Sequence, residues 1–113
     1  KEFPINVFSF LYMNFIFSGG GYFRLLPYEL IKKLFTRSNY VMTYFHPRDF
    51  DYDQPVISGL SPYRKFKSYV GIKNAFDKLE RLITDFDFID LKEADQEIDW
   101  GKVSKIYLKN VND

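Results

Sequence analysis

The chain has 113 residues, 16 basic and 15 acidic side chains, a formal net charge of +1, one histidine and no cysteine. Balanced charge argues against a nucleic-acid binder, which carries a clear basic excess. The missing cysteines exclude disulfides and thiolate metal sites, and leave cytoplasm and cell envelope equally open as compartments. Hydrophobic residues make up 46% and aromatics 20%, too much apolar surface for a disordered chain, and the length suits one domain with a modest core.

Residues Glu2–Phe8 read as a strand. The apolar run Phe3–Phe17 is broken by Asn6, Ser9 and Asn14 and falls short of the roughly 20 apolar residues that a membrane-crossing helix needs. No membrane span and no signal peptide are expected. The first residue is Lys1, not Met, as in a processed product, an artificial start or a fragment. Asn14–Arg24 contains Gly19-Gly20-Gly21 and reads as a loop. No Gly-Lys-Ser/Thr follows it, so it is not a phosphate loop. Two readings of the triple glycine stand: a cleft rim that brings Tyr22 and Arg24 to a substrate, or a tight turn feeding the next helix.

Pro27 suits the first position of that helix. Leu30, Ile31, Leu34 and Phe35 follow at helical spacing, and Ser38-Asn39 ends it. Tyr40–Phe45 is apolar on both faces, as expected of a strand covered on two sides. Pro47–Tyr69 is a long connection, a kind of segment that usually carries function or short helices. Ser61-Pro62 should cap and start one, running to Tyr69. Gly71–Thr84 is a helix with an apolar stripe of Ile72, Phe76, Leu79, Leu82 and Ile83. Phe86–Leu91 alternates apolar and acidic residues and reads as a third strand. The polar tail holds Ile98, Trp100, Val103, Ile106, Tyr107 and Leu108, enough for a short helix or an edge strand.

Strands alternating with helices predict right-handed β-α-β units and an α/β fold. Three strands and two helices make a poor independent parallel sheet, so the sequence looks like the end of something larger. His46 ends the second strand, immediately before Pro47. An imidazole there is well placed for proton transfer, because its unperturbed titration falls between pH 5 and 8. Its plainer role is a hydrogen-bonded residue closing the strand. Asp49, the nearest acid, is the candidate to orient the ring. Asp49, Asp51 and Asp53 alternate, but Gln54 and Leu60 stand where a calcium loop needs Gly and Glu. Tyr22, Tyr44 and Trp100 have the faces to stack on sugar rings, while Glu2 reads as a solvated strand end.

Three segments carry a family resemblance: Glu2-Phe3-Pro4, Gly19-Gly20-Gly21-Tyr22-Phe23-Arg24-Leu25-Leu26-Pro27-Tyr28, and His46-Pro47-Arg48-Asp49-Phe50-Asp51-Tyr52-Asp53-Gln54-Pro55. In this order and spacing they resemble the C-terminal third of bacterial polysaccharide deacetylases of the exopolysaccharide-locus type. Tyr69-Val70-Gly71 and Lys78-Leu79-Glu80-Arg81-Leu82 fit that family too. The resemblance covers about Glu2–Leu91 and divides the chain into residues 1–91, a deacetylase-like C-terminal part, and a tail at 92–113.

The resemblance implies the C-terminal β-α-β-α-β portion of a distorted (β/α) barrel. It also implies metal-dependent removal of acetyl groups from an N-acetylated polysaccharide. In such enzymes a metal, zinc above others, is held by an Asp and two His early in the chain, and those motifs are absent here. Expected are no metal ligand and no cofactor in this chain, His46 as general acid, and Tyr22 and Arg24 as cleft residues. The fragment alone is expected to be inactive. The alternative is a non-catalytic glycan-binding or homodimeric assembly module derived from the same fold, completed by a second copy or by the missing N-terminal part.

Overall fold

The computed structural model describes residues 1–105; the expectation for Ile106, Tyr107 and Leu108 lies outside them. The chain opens with an extended segment and a β-hairpin, β1 (Phe8–Phe10) and β2 (Met13–Phe15), with Phe8 opposite Phe15 and Phe10 opposite Met13. Leu11 and Tyr12 make the turn with φ of 47° and 65°. That is the mirror-image turn that matches strand twist, built here from bulky residues rather than Asn-Gly.

Only Phe8 of the expected strand Glu2–Phe8 enters a ladder. Asn6 does the joining instead. Its Nδ2 donates to the Tyr40 carbonyl (2.6 Å), and its Oδ1 accepts from the Met42 N–H (2.9 Å). One carboxamide thus satisfies a donor and an acceptor that a neighbouring strand would otherwise take up. Tyr40–Phe45 is likewise extended but unladdered. It meets the chain after β2 through a single parallel bridge, Gly19 with Tyr44, where the Tyr44 N–H donates to the Ser18 carbonyl at 3.3 Å.

The segment expected to be a loop around the glycines is partly helical: α1 spans Gly20–Leu25 and α2 spans Tyr28–Arg37. In α2, Tyr28, Ile31, Leu34 and Phe35 are buried. They join Phe17, Phe23 and Leu82 in the main apolar cluster, against which Phe45, Phe50 and Phe86 pack. A 3-10 turn at Pro47–Asp49 follows, then α3 (Pro62–Tyr69), capped by the Ser61 hydroxyl as its spacing predicts.

The last long helix, α4, spans Ala75–Asp85 and is entered through a 3-10 turn at Ile72–Asn74. Its buried contacts are Ala75 and Leu82, while Phe76 and Ile83 of the expected stripe are exposed. The expected strand Phe86–Leu91 does not form; residues up to Asp90 carry no regular structure, and α5 (Leu91–Glu97) begins there. Asp90 caps α5 by accepting the Glu93 N–H at 2.8 Å. Asp followed three residues on by Glu is a helix-start signature, which the alternation of Phe86 and Phe88 with acids masks.

Two residues fix α1. Lys78 of α4 donates through Nζ to the carbonyls of Arg24 (2.6 Å), Leu26 (2.7 Å) and Phe23 (3.3 Å). An ammonium is well suited to the orphan carbonyls at a helix C-terminus, and burial lowers its pKa. Gly71, at φ +69°, lies against the same corner, where a Cβ would run into the Arg24 carbonyl.

The seam between α2 and α4 is polar. The Tyr28 hydroxyl donates to Asp85 Oδ2 (2.6 Å), Lys32 Nζ lies 2.8 Å from the same oxygen, and the Arg81 guanidinium stacks 3.8 Å over the Tyr28 ring. Burial, then the hydrogen bond to Asp85, pushes the Tyr28 phenol up to about 12. An unfolded phenol ionises near pH 10. Between those values the unfolded chain has lost a proton that the folded chain keeps, so stability falls as pH rises. Tyr28→Phe is expected to flatten the fall of melting temperature through this window; thermal melts from pH 9 to 12 read it, and an unchanged slope refutes the assignment. Asp85 works at the other end. Hydrogen bonds from Lys32 and then Tyr28 hold its carboxyl below the usual range, so its contribution is present above the unfolded carboxylate value and is lost as pH drops through the folded one.

Candidate functional site

The bridge between Gly19 and Tyr44 brings the triple glycine beside the residues before His46. A Cβ on Gly19 would collide with the Tyr44 carbonyl, so the approach requires glycine there. The result is a groove of about 290 Å³ with Gly19–Gly21 as floor and Ile5, Ile16, Tyr22, Tyr44 and His46 around it. Tyr22 is steadied by Phe15, edge to face at 5.1 Å. Tyr44 stands edge to face with the His46 ring at 5.0 Å, and both are exposed. The imidazole therefore opens onto the groove with an aromatic neighbour and free access to solvent.

Asp49 is 5% exposed and anchors this corner from below. Its Oδ2 accepts the backbone N–H of His46 at 2.9 Å, and its Oδ1 lies 3.5 Å from Arg24 Nε. The observed orienting contact thus runs through the His46 main chain: it sets where the residue leaves the extended segment and so where the ring starts.

Arg24 is 7% exposed. Its Nη1 donates to the Ser68 carbonyl (2.8 Å) and its Nη2 to the Lys67 carbonyl (3.2 Å). Burial lowers the Arg24 pKa, and the Asp49 charge opposes that shift. A guanidinium keeps its charge in such surroundings, and this one ties α1, the 3-10 turn and the end of α3 together. Tyr22, His46 and Tyr44 share the open groove, whereas Arg24 and Asp49 form the buried ion pair that supports it.

Trp100 is elsewhere. Phe3 packs edge to face on it at 5.5 Å, Lys1 lies 5.2 Å over its ring, and its Nε1–H donates to the Asp95 carbonyl. Glu2 is exposed. Ile5 and Ile16 are groove residues that sequence reasoning missed, because apolar side chains in an apolar run carry no mark of facing a cleft.

Among the described residues no three His, Asp or Glu side chains stand together as a metal ion would require. The groove's only imidazole is His46, and no carboxylate lines it among the described residues, so the residues present do not fit a metal centre. No described helix is long and apolar enough to cross a membrane.

No curated protein and no solved structure matches the chain. Residues 1–96 match a family model described as Domain of unknown function (DUF3473). With that match running from Lys1 through nearly all of α5, and taking in the glycine floor, His46 and the Arg24–Asp49 pair, the chain belongs to the DUF3473 family.

Proposed function

We propose that this chain is the C-terminal part of a metal-dependent polysaccharide deacetylase, built as the closing portion of a distorted (β/α) barrel, and that it supplies the general acid and part of the sugar cleft. The observation that carries the reading is the exposed His46 imidazole on a groove of about 290 Å³ with two tyrosines and a glycine floor. Tyr22 and Tyr44 offer faces for a sugar ring, and Gly19–Gly21 lets the substrate approach the backbone closely. His46 donates a proton to the amine nitrogen as the carbon–nitrogen bond breaks, which makes the amine a competent leaving group. Asp49 holds the His46 backbone, and Arg24 holds Asp49. The metal belongs to residues outside this chain.

Acetate release from N-acetylated glycan oligomers by the intact protein tests this directly. Release that a chelator stops and a divalent metal restores supports the reading. An intact, folded protein that binds such glycans and yields no acetate with any divalent metal supplied would sink it. That outcome would leave the second reading, a non-catalytic glycan-binding or homodimeric assembly module. The exposed apolar hairpin tip, with Phe10, Leu11, Tyr12 and Met13 all open to solvent, favours that reading as surface awaiting a partner.

A further inference from the structure

Helix α3 is amphipathic yet buries none of its side chains. Tyr63, Phe66 and Val70 share one face by helical spacing. Tyr63 is 70% and Phe66 55% exposed. Their face borders a second groove, of about 360 Å³, closed on the other side by Gly21, Tyr22 and Leu25 of α1. Arg24 sets its width by holding the Lys67 and Ser68 carbonyls. Gly21 and Tyr22 also border the groove at His46, so the two depressions meet along Tyr22.

The charged residues that line this second groove, Arg24 and Lys67, are both cations. From Val56 to Phe76 the chain carries Arg64, Lys65, Lys67 and Lys73 and no acid, whereas Asp85–Asp99 is strongly acidic. The ion pairs among the described residues engage Lys1, Arg24, Lys32, Arg81 and Lys102, and none of the cations of α3. Lys67 Nζ lies 5.5 Å over the Tyr63 ring, at the groove wall. Aromatic faces beside a cation without a carboxylate partner match a sugar that carries a carboxylate. A nucleic acid would call for a longer basic track along its phosphates, and here the cations are confined to one short segment.

We infer that the groove between α1 and α3 is a subsite for a carboxylate-bearing residue of a linear glycan, its ring on Tyr63 and Phe66 and its carboxylate on Lys67. The inference rests on the reading of the His46 groove as a glycan site and adds the class of polymer: an acidic one.

Calorimetric titration of the intact protein with a galacturonate oligomer and with a neutral N-acetylglucosamine oligomer tests it. The acidic oligomer should bind about tenfold tighter at low salt, with the gap closing toward 1 M salt as screening sets in. Lys67→Met should weaken the acidic oligomer about fivefold, the scale of an exposed ion pair, and leave the neutral one unchanged. Tyr63→Ala should weaken both about tenfold through lost stacking. Both side chains are exposed, so the fold should tolerate the changes, and circular dichroism checks that it does.

Equal affinity for the two oligomers overturns the inference. So does an indifferent Lys67→Met, or an oligonucleotide of matched charge that binds as tightly as the galacturonate. The outcomes separate from those of the deacetylase reading. Acetate release that depends on His46 without acidic preference removes only the subsite. Acidic preference that depends on Lys67 without acetate release removes only the enzyme.

Discussion

Replacing His46 by alanine in the intact protein is expected to lower kcat for N-acetylated glycans by about 10²- to 10⁴-fold, the usual worth of a positioned proton donor. KM should change little, since Tyr22 and Tyr44 remain to hold the sugar. Folding stability should stay within about 0.5 kcal/mol of the parent, as for exposed positions away from structural features, because the ring is exposed and its close aromatic contact is Tyr44.

A further reading ties the loss to proton donation. An acetyl ester with a good leaving group needs no protonation, so its hydrolysis should suffer far less than that of the amide. A kcat within threefold of the parent on the amide substrate would remove His46 from the reaction.

Removing the Asp49 carboxylate is the largest expected blow to stability. Asp49→Ala should cost about 3–5 kcal/mol, because breaking a buried pair leaves the partner charge uncompensated. That partner is the Arg24 guanidinium, 7% exposed and 3.5 Å from the carboxylate through Nε. Asp49→Asn should cost less, since its amide oxygen still accepts the His46 N–H. Arg24→Met combined with Asp49→Leu should recover part of the loss, because no isolated charge then remains. Urea denaturation of the three variants measures the order. A cost below about 1 kcal/mol for Asp49→Ala would mean the pair is screened like a surface one. In the Arg24→Met, Asp49→Leu pair kcat should still fall, because leucine cannot accept the His46 N–H that anchors the turn.

The helices were legible in the residues because their signals are local. Pro27 and the spacing of Ile31, Leu34 and Phe35 mark α2, and Ser61-Pro62 fixes the start of α3 at Pro62. Strands are less so, since an apolar run becomes a strand only where a neighbour offers its edge. Tyr40–Phe45 finds one bridge at Gly19, and Glu2–Val7 reaches Tyr40 and Met42 through the side chain of its own Asn6 rather than through a ladder. Helix α1 was hidden by its glycines, whose poor helix propensity is overridden by Lys78 and the corner at Gly71. At the site, the sequence marks His46, Tyr22 and Tyr44 one by one as candidates but does not say that they meet. The burial of Arg24 could not, because its partners Asp49, Lys67 and Ser68 come from two later elements.

The dependence of α1 on Lys78 has a consequence for how the molecule is made. A helix as short as Gly20–Leu25 has no standing of its own in water, and the ammonium that closes its carbonyls, that of Lys78, is translated 55 positions after Phe23. On the ribosome the glycine bed therefore stays unset until α4 has emerged. Amide exchange at the two places should then rise and fall together, the earliest part of the groove waiting on the last long helix.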